Sequence, residues 1–475
     1  MQRLDIALIV DSKWRDLPGM AALATWLEEA HGLTVLLIPY TKWFQTLHDY
    51  RPKVLVVTHM NGARSRAIAY KAAAVGTRLV VIHTEGRPNN TELMHYLVGS
   101  SMNIDGVDLL FTWSETVRDF LVSQHHLSED RIVVGGVHRF DFYRPVLSTL
   151  LAQRTAICQR YGLNPNKQIV SWSTNFTTAK YHLRNREFMW RDWKDLGLFN
   201  FATYRKPEDF AKRDFEAREQ MLITLRDLLR ARPEVQVLLK PHPMEDHERY
   251  ESFLREFRSE FQGRLTFIAS EYIWDVLNCA DAHIHRLCTT GVEAWLLDVP
   301  SIEYHSADYY GWSMQLGGAA AEAARGNDVV SDTTGLIDRI DYYLNGGAPS
   351  KEQSEVRDAY IKKWLYQVDG KRCMTHANVL AKIASEPKRT KGPELDFSLM
   401  RSMAKEQART YVNRFRKPSK GADKLGQVDC RILPEDAEAW RQRVREILVP
   451  HIKEWKAAEG TAPGVELSRD ARAAI

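Results

Sequence analysis

A chain of 475 residues is too long for one ordinary hydrophobic core, and points to two domains with an extension. With 44% hydrophobic and 27% charged residues it has an ordinary globular composition, and no apolar run approaches the roughly 18–20 residues of a membrane helix. A net charge of +4 is too small to argue for nucleic acid, and the five cysteines, with no CxxC pair, read as reduced thiols of a cytoplasmic protein.

The start, MQRLDIALIVDS, is a short apolar run with Asp5 and Asp11 around it, which reads as a first strand and not as a signal peptide. A helical pattern over 18–30 follows. The runs 34–40, 54–59, 78–86, 108–114 and 131–137 then read as strands, with helical segments at 63–75 and 115–127 among them. Apolar runs without alternation belong to strands covered on both faces. Strands alternating with helices imply a parallel sheet with right-handed crossovers.

After a helix and turn near 144–166 the rhythm restarts. Strands are expected at 168–176, 235–240, 264–269, 282–287 and 301–305, and helices at 214–231, 245–257 and 291–299. An aromatic, charged insertion over 178–212 interrupts this second set. Its Trp190 and Trp193 either stack on sugar rings or pack a lid. The expectation is an α/β chain of two Rossmann-like, doubly wound halves facing a cleft: 1–145 and 146–385, with 386–475 as a basic helical tail. That tail reads either as helix packed on the body or as a basic surface for anionic lipid.

Four segments carry chemistry. The strand 235–240 ends in Lys240-Pro241-His242-Pro243, where two prolines fix the backbone and keep His242 out of a helix. A histidine held there can donate to a phosphate oxygen, with Lys240 adding charge, or can merely cap a turn. In HRLCTTGVEAWLL, Thr289 and Thr290 are expected at the N-cap and Gly291 at the helix start, a ready anion site. Glu293 in that first turn either accepts from ribose hydroxyls or favours the dipole.

In HTEGRPNN, Glu85 stands at a strand end beside Gly86, flanked by His83 and Arg87 on the acceptor side of the cleft. It reads as a general base or as half of a structural ion pair. Ser173, Thr174 and Asn175 follow the first strand of the second half, where phosphate or nucleoside can bind. Arg139 and Asp141 of GGVHRFD read as a structural pair at the hinge. Asp281, His283 and His285 alternate as metal ligands would, but in a covered strand with no fourth ligand, so no metal and no cofactor is assigned.

Two such halves with KPHP and CTTGVEA in the second resemble the GT-B glycosyltransferases. The likeness is nearest to bacterial surface-carbohydrate enzymes: capsule Kdo transferases, polysialyltransferases and CDP-glycerol glycerophosphotransferases. It covers about residues 1–385. The resemblance implies a His-Pro motif on the nucleotide phosphate (His242, Pro243), completed by the hydroxyls of Thr289 and Thr290. It also implies a base from an acidic-acidic-Gly motif, here Thr84-Glu85-Gly86, where the first acid is missing. The implied partners are a nucleotide-sugar donor and an oligosaccharide or lipid-linked glycan acceptor. The implied reaction is an inverting, metal-independent sugar transfer, with a CMP-activated ulosonic acid as leading donor. Alternatives are glycerol phosphate transfer from CDP-glycerol, a UDP-GlcNAc 2-epimerase-like isomerisation, and a non-catalytic role in a complex.

Overall fold

The computed structural model describes residues 4–60, 63–85, 92, 94, 106–124, 127–195, 197–306, 318–386, 393–415 and 432–459. Its described strands form two six-stranded sheets. The first comprises β1 (Ile6–Val10), β2 (Val35–Pro39), β3 (Val54–Val57), β4 (Arg78–Ile82), β5 (Leu109–Thr112) and β6 (Ile132–Val134), in the order β2-β1-β3-β4-β5-β6. The second comprises β7 (Ile169–Ser173), β8 (Gln236–Lys240), β9 (Leu265–Phe267), β10 (Ala282–His285), β11 (Ser301–Tyr304) and β12 (Asp328–Val330), in the order β12-β11-β10-β7-β8-β9. Every pairing is parallel. Strands such as Ile6–Val10 and Ile169–Ser173 are buried along their whole length because helices cover both faces.

In each sheet the order reverses beside the first strand of its half, between β1 and β3 and between β7 and β10. Loops leaving the carboxyl ends at such a reversal diverge to opposite faces and leave a crevice. The cleft segments of the sequence all lie at these ends.

The insertion interrupts the alternation of strands and helices, as expected, and is itself helical. Arg186–Asp195 and three short 3-10 turns enclose their own apolar cluster of Tyr181, Met189, Trp193, Leu198, Tyr204 and Ala211. Trp193 is buried against Tyr204 and Phe210, so it packs the lid. Trp190 stacks on Phe199 and donates to Glu208. The next helix, Pro207–Ala231, starts seven residues earlier than its periodicity indicated. Pro207 opens it and Glu208 and Asp209 favour its dipole.

The chain's end returns to the first half. Helix Arg372–Ser385 lies against the first helix, Lys13–His31, and against the 3-10 turn His138–Tyr143. Helix Pro434–Glu459 runs along the same first helix: Arg441 and Arg445 pair with Glu28, Arg445 also with Glu29, and Trp455 stands edge-on to Trp26. Gly135 is required by this return. A Cβ there would fall 2.4 Å from the His376 ring, so the glycine admits a helix and not a ligand.

Candidate functional site

The first half contributes Glu85. Its backbone N–H donates to Nδ1 of buried His83 at 3.2 Å, which aims the strand end. Its carboxylate is bonded to Nη1 of Arg15. Arg15 sits one turn into the first helix, at the carboxyl end of β1. Its Nε and Nη2 hold Asp16 at 2.8 and 3.1 Å, and Nη2 holds Asp11 at 3.0 Å. Asp16 in turn accepts from the Ser12 N–H at 3.0 Å, which ties the fork to the helix start. Arg15 beside it holds the Glu85 carboxyl down at about 2, aided by His83, His59 and His242. Protein surrounds Glu85, yet its side chain is 61% exposed and open to the cleft.

The second half contributes His242. The Met244 N–H donates to its Nδ1 at 3.1 Å, which leaves the proton of the neutral ring on Nε2. Burial pushes the imidazole down to about 4. The Glu85 charge opposes that shift, while Arg15, Lys240 and Lys180 add to it. The charges of Glu85 and Arg15 of one half thus reach His242 of the other across the cleft.

Buried Glu245 braces the turn. It accepts from the His242 N–H at 3.1 Å, from Thr174 Oγ1 at 2.6 Å and from the Tyr250 hydroxyl. Thr174 is thus buried with its hydroxyl committed to Glu245. Ser173 pairs in register with Lys240, and its buried Oγ has no hydrogen-bond partner among the described residues. Half-buried Asn175 is fixed through its carbonyl, which accepts from Arg286 at 2.5 Å, and Arg286 holds Asp214 at 2.9 Å. Pro243 and Lys240 are half-buried at the same rim.

The helix Thr289–Leu296 differs in detail from expectation. Cys288 is its N-cap, with no side-chain cap bond, and Thr289 and Thr290 lie in the first turn. Thr290 Oγ1 turns to His283 Nε2 at 3.0 Å, so that hydroxyl supports the strand below. Gly291 is explained by His285, whose ring would stand 2.2 Å from a Cβ. Leu287, just before the helix, has a left-handed φ of 46°, a conformation costing about 1–3 kcal/mol where it occurs at functional turns.

Glu293 is tied to the first half. It is buried, accepts from the Tyr143 hydroxyl and lies 3.9 Å from Arg139, both on the first half. Arg139 also donates to the Thr84 carbonyl at 2.7 Å. The expected Arg139–Asp141 pair is not formed. Asp141 instead accepts from the Arg372 and Cys373 N–H groups at 3.0 and 2.7 Å, capping the returning helix. The metal alternative also fails to converge. Asp281 binds Arg154 at 3.0 Å and the Ile169 N–H at 2.7 Å, and His283 lies between Ser171 and Thr290. Among the described residues no cluster of His, Cys, Asp or Glu is arranged to hold a metal ion. Gly86 and Arg87 lie outside the described residues.

Sequence reasoning missed Arg15, Lys180 and Glu245. Arg15 had a signal, a cation one turn after the first strand at the reversal. Lys180 had none, because it lies inside the insertion. It is buried and donates to the Met244 carbonyl.

No family model matches the chain, and no curated protein matches it in sequence. Among solved structures it is similar to the wall teichoic acid polymerase TagF, at TM-score 0.50 and 12% identity, over 80% of this chain and 88% of that one. Others are a UDP-GlcNAc 2-epimerase from Neisseria meningitidis bound to UDP-GlcNAc (TM-score 0.48, 10% identity, 80% and 100% covered) and a glycosyltransferase from Rickettsia africae ESF-5 (0.43, 14%, 81% and 100%). At such identities the likeness is one of fold. With the two strand orders, the TagF match makes the fold GT-B, with a helical C-terminal segment.

Proposed function

We propose that the chain is an inverting, metal-independent glycosyltransferase of bacterial surface polysaccharide assembly. Its donor is a nucleotide-activated sugar, with a CMP-linked ulosonic acid first. Its acceptor is a glycan or lipid-linked glycan. The observation that supports this reading is the placing of Glu85 and His242 just beyond the carboxyl ends of their strands, one from each half, where the charge of each acts on the other. Residues 1–145 take the acceptor, 146–385 take the donor, and 386–475 is an appended helical tail.

Glu85 takes the proton of the acceptor hydroxyl, which attacks the anomeric carbon from the face opposite the nucleotide. The leaving phosphate receives the Nε2–H of His242 and the N–H groups at the start of Thr289–Leu296. Lys240 and Lys180 add positive charge. Donors fixed before the charge develops are usually a large catalytic contribution. While Arg15 holds Glu85, the carboxylate is ionised but weakly basic. Entry of the acceptor hydroxyl loosens that pair and raises the proton affinity of Glu85 as it is needed. His83 supports the acceptor side through its bond to the Glu85 N–H. The described cysteines are free thiols, which accords with a cytoplasmic site of action.

A second reading, glycerol phosphate transfer from CDP-glycerol, is favoured by the TagF likeness, since one TagF variant was soaked with CDPG. The same base and phosphate donors would serve attack at phosphorus. Product analysis with CMP-ulosonate, CDP-glycerol and UDP-GlcNAc separates the readings. A new glycoside supports the first and a phosphodiester the second. An epimerised nucleotide sugar, or no product with any donor, overturns both.

A further inference from the structure

The neighbouring strands β2, β1, β3 and β4 of the first sheet place Tyr40, Asp11, His59 and Glu85 just past their carboxyl ends. Of these, the transfer chemistry uses Glu85, and Asp11 fixes Arg15. Tyr40 and His59 have no part in it. Yet the Thr84 N–H donates to the Thr58 carbonyl at 3.3 Å, so His59 leaves the strand end next to that of Glu85. Its charge joins those of Arg15 and His83 in holding the Glu85 carboxyl down. The Tyr40 and His59 rings are stacked, with centroids 5.2 Å and planes 19° apart. The His59 Nδ1 shares a hydrogen bond with Thr58 Oγ1 at 3.1 Å, and the Arg64 guanidinium lies 5.5 Å over the Tyr40 ring. His59 is thus held at one face and one edge, and remains half-buried beside the candidate base. A core ring would be covered, and a plain surface histidine would not be fixed at two points.

The charges around this pair select a ligand. Arg15 is held by Asp11, Asp16 and Glu85, and Arg64 by Glu406 of the helix Phe397–Phe415 at 3.2 Å. Four carboxylates thus share two guanidiniums, and the network is net negative. Burial pushes the Tyr40 phenol up to about 12, so it adds no charge. The donor side is opposite in sign, with Lys240 and Lys180 beside His242. A flat ring at the edge of a cleft offers a face to the apolar side of a sugar, and like charge brought against like is costly. We propose that His59, backed by Tyr40, is the platform for the terminal ring of the acceptor, and that this ring is a neutral sugar. The proposal rests on the transferase reading and deepens it. The ring lies on His59 with its attacking hydroxyl at Glu85. An acidic sugar, once added, would set its carboxylate against Asp11 and Glu85. The product is then not the next acceptor, and transfer ends after one residue.

The test is saturation-transfer NMR of the full chain with the neutral disaccharides lactose, chitobiose and maltose, and with sialyllactose, whose terminal ring is acidic. It compares wild type, His59→Ala and His59→Phe, and titrates CMP into each. Wild type should bind at least one neutral disaccharide, and sialyllactose at least about fivefold more weakly. His59→Ala should lose about fivefold or more in saccharide affinity, while His59→Phe, which keeps a flat ring, stays within about threefold of wild type. CMP affinity should be the same in all three. The Phe variant separates a platform from a histidine that acts through its nitrogens. Wild type that binds none of the saccharides, or prefers sialyllactose, overturns the proposal. So does an affinity that survives His59→Ala, or a His59→Phe variant as weak as His59→Ala. If the saccharides bind in the expected pattern and no nucleotide binds, the transferase reading fails and the platform stands.

Discussion

Arg15 and Glu85 form an ion pair between the carboxyl ends of the first and fourth strands, and Asp11 and Asp16 fix the guanidinium from its other side. The pair sets both the charge and the proton affinity of the candidate base. Glu85→Gln keeps the size and one acceptor oxygen but cannot take a proton. Turnover should fall by at least about 100-fold with nucleotide affinity unchanged, as steady-state rates and titration would measure. Near-wild-type rates in this variant would remove Glu85 from the base role.

The same pair makes a pH prediction. A base works when deprotonated, and Glu85, held at about 2, is ionised throughout the usual assay range. Arg15→Met removes the main cause of that depression. The acid limb of kcat/KM should then move upward toward the ordinary carboxylate range, near 4.3. An unmoved limb would mean that Arg15 does not govern the base.

Glu293 joins the halves through Tyr143 and Arg139. Glu293→Ala leaves a buried hydroxyl without its acceptor and a buried guanidinium short of its counter-charge. It should lower stability by about 1–3 kcal/mol, read from the denaturation midpoint. A residue contacting only ribose would leave the midpoint unmoved.

Gly291→Ala tests the packing account of that glycine. Its Cβ would press on the His285 ring at 2.2 Å. Overpacking of this kind costs about 1–3 kcal/mol, so the melting temperature should fall even without ligand. Unchanged stability with weakened nucleotide binding would instead return Gly291 to a phosphate role.

The two-sheet plan was legible because strands such as Ile6–Val10, Val54–Val57 and Arg78–Ile82 carry continuous apolar runs in step with helical segments, and runs covered on both faces announce themselves. β12 was missed because Asp328–Val330 is three residues long and opens on an acid. The KPHP segment was legible because its prolines fix a turn whatever surrounds them. The first turn of Thr289–Leu296 was less so. Capping rules favour Thr at the N-cap, but the His283 bond draws Thr290 into the helix and leaves Cys288 outside. Glu293 and Asp141 could not be assigned from sequence, since their partners are 150 and 231 residues away.

The central claim is a nucleotide phosphate bound at His242. Thermal unfolding of wild type and His242→Ala, each with CMP, CDP, UDP, GDP or ADP, tests it most directly. The account predicts that CMP raises the wild-type melting temperature. It also predicts that His242→Ala loses about tenfold or more in affinity, the worth of one hydrogen bond to a charged group. No shift with any nucleotide, or an equal shift in both proteins, would contradict it.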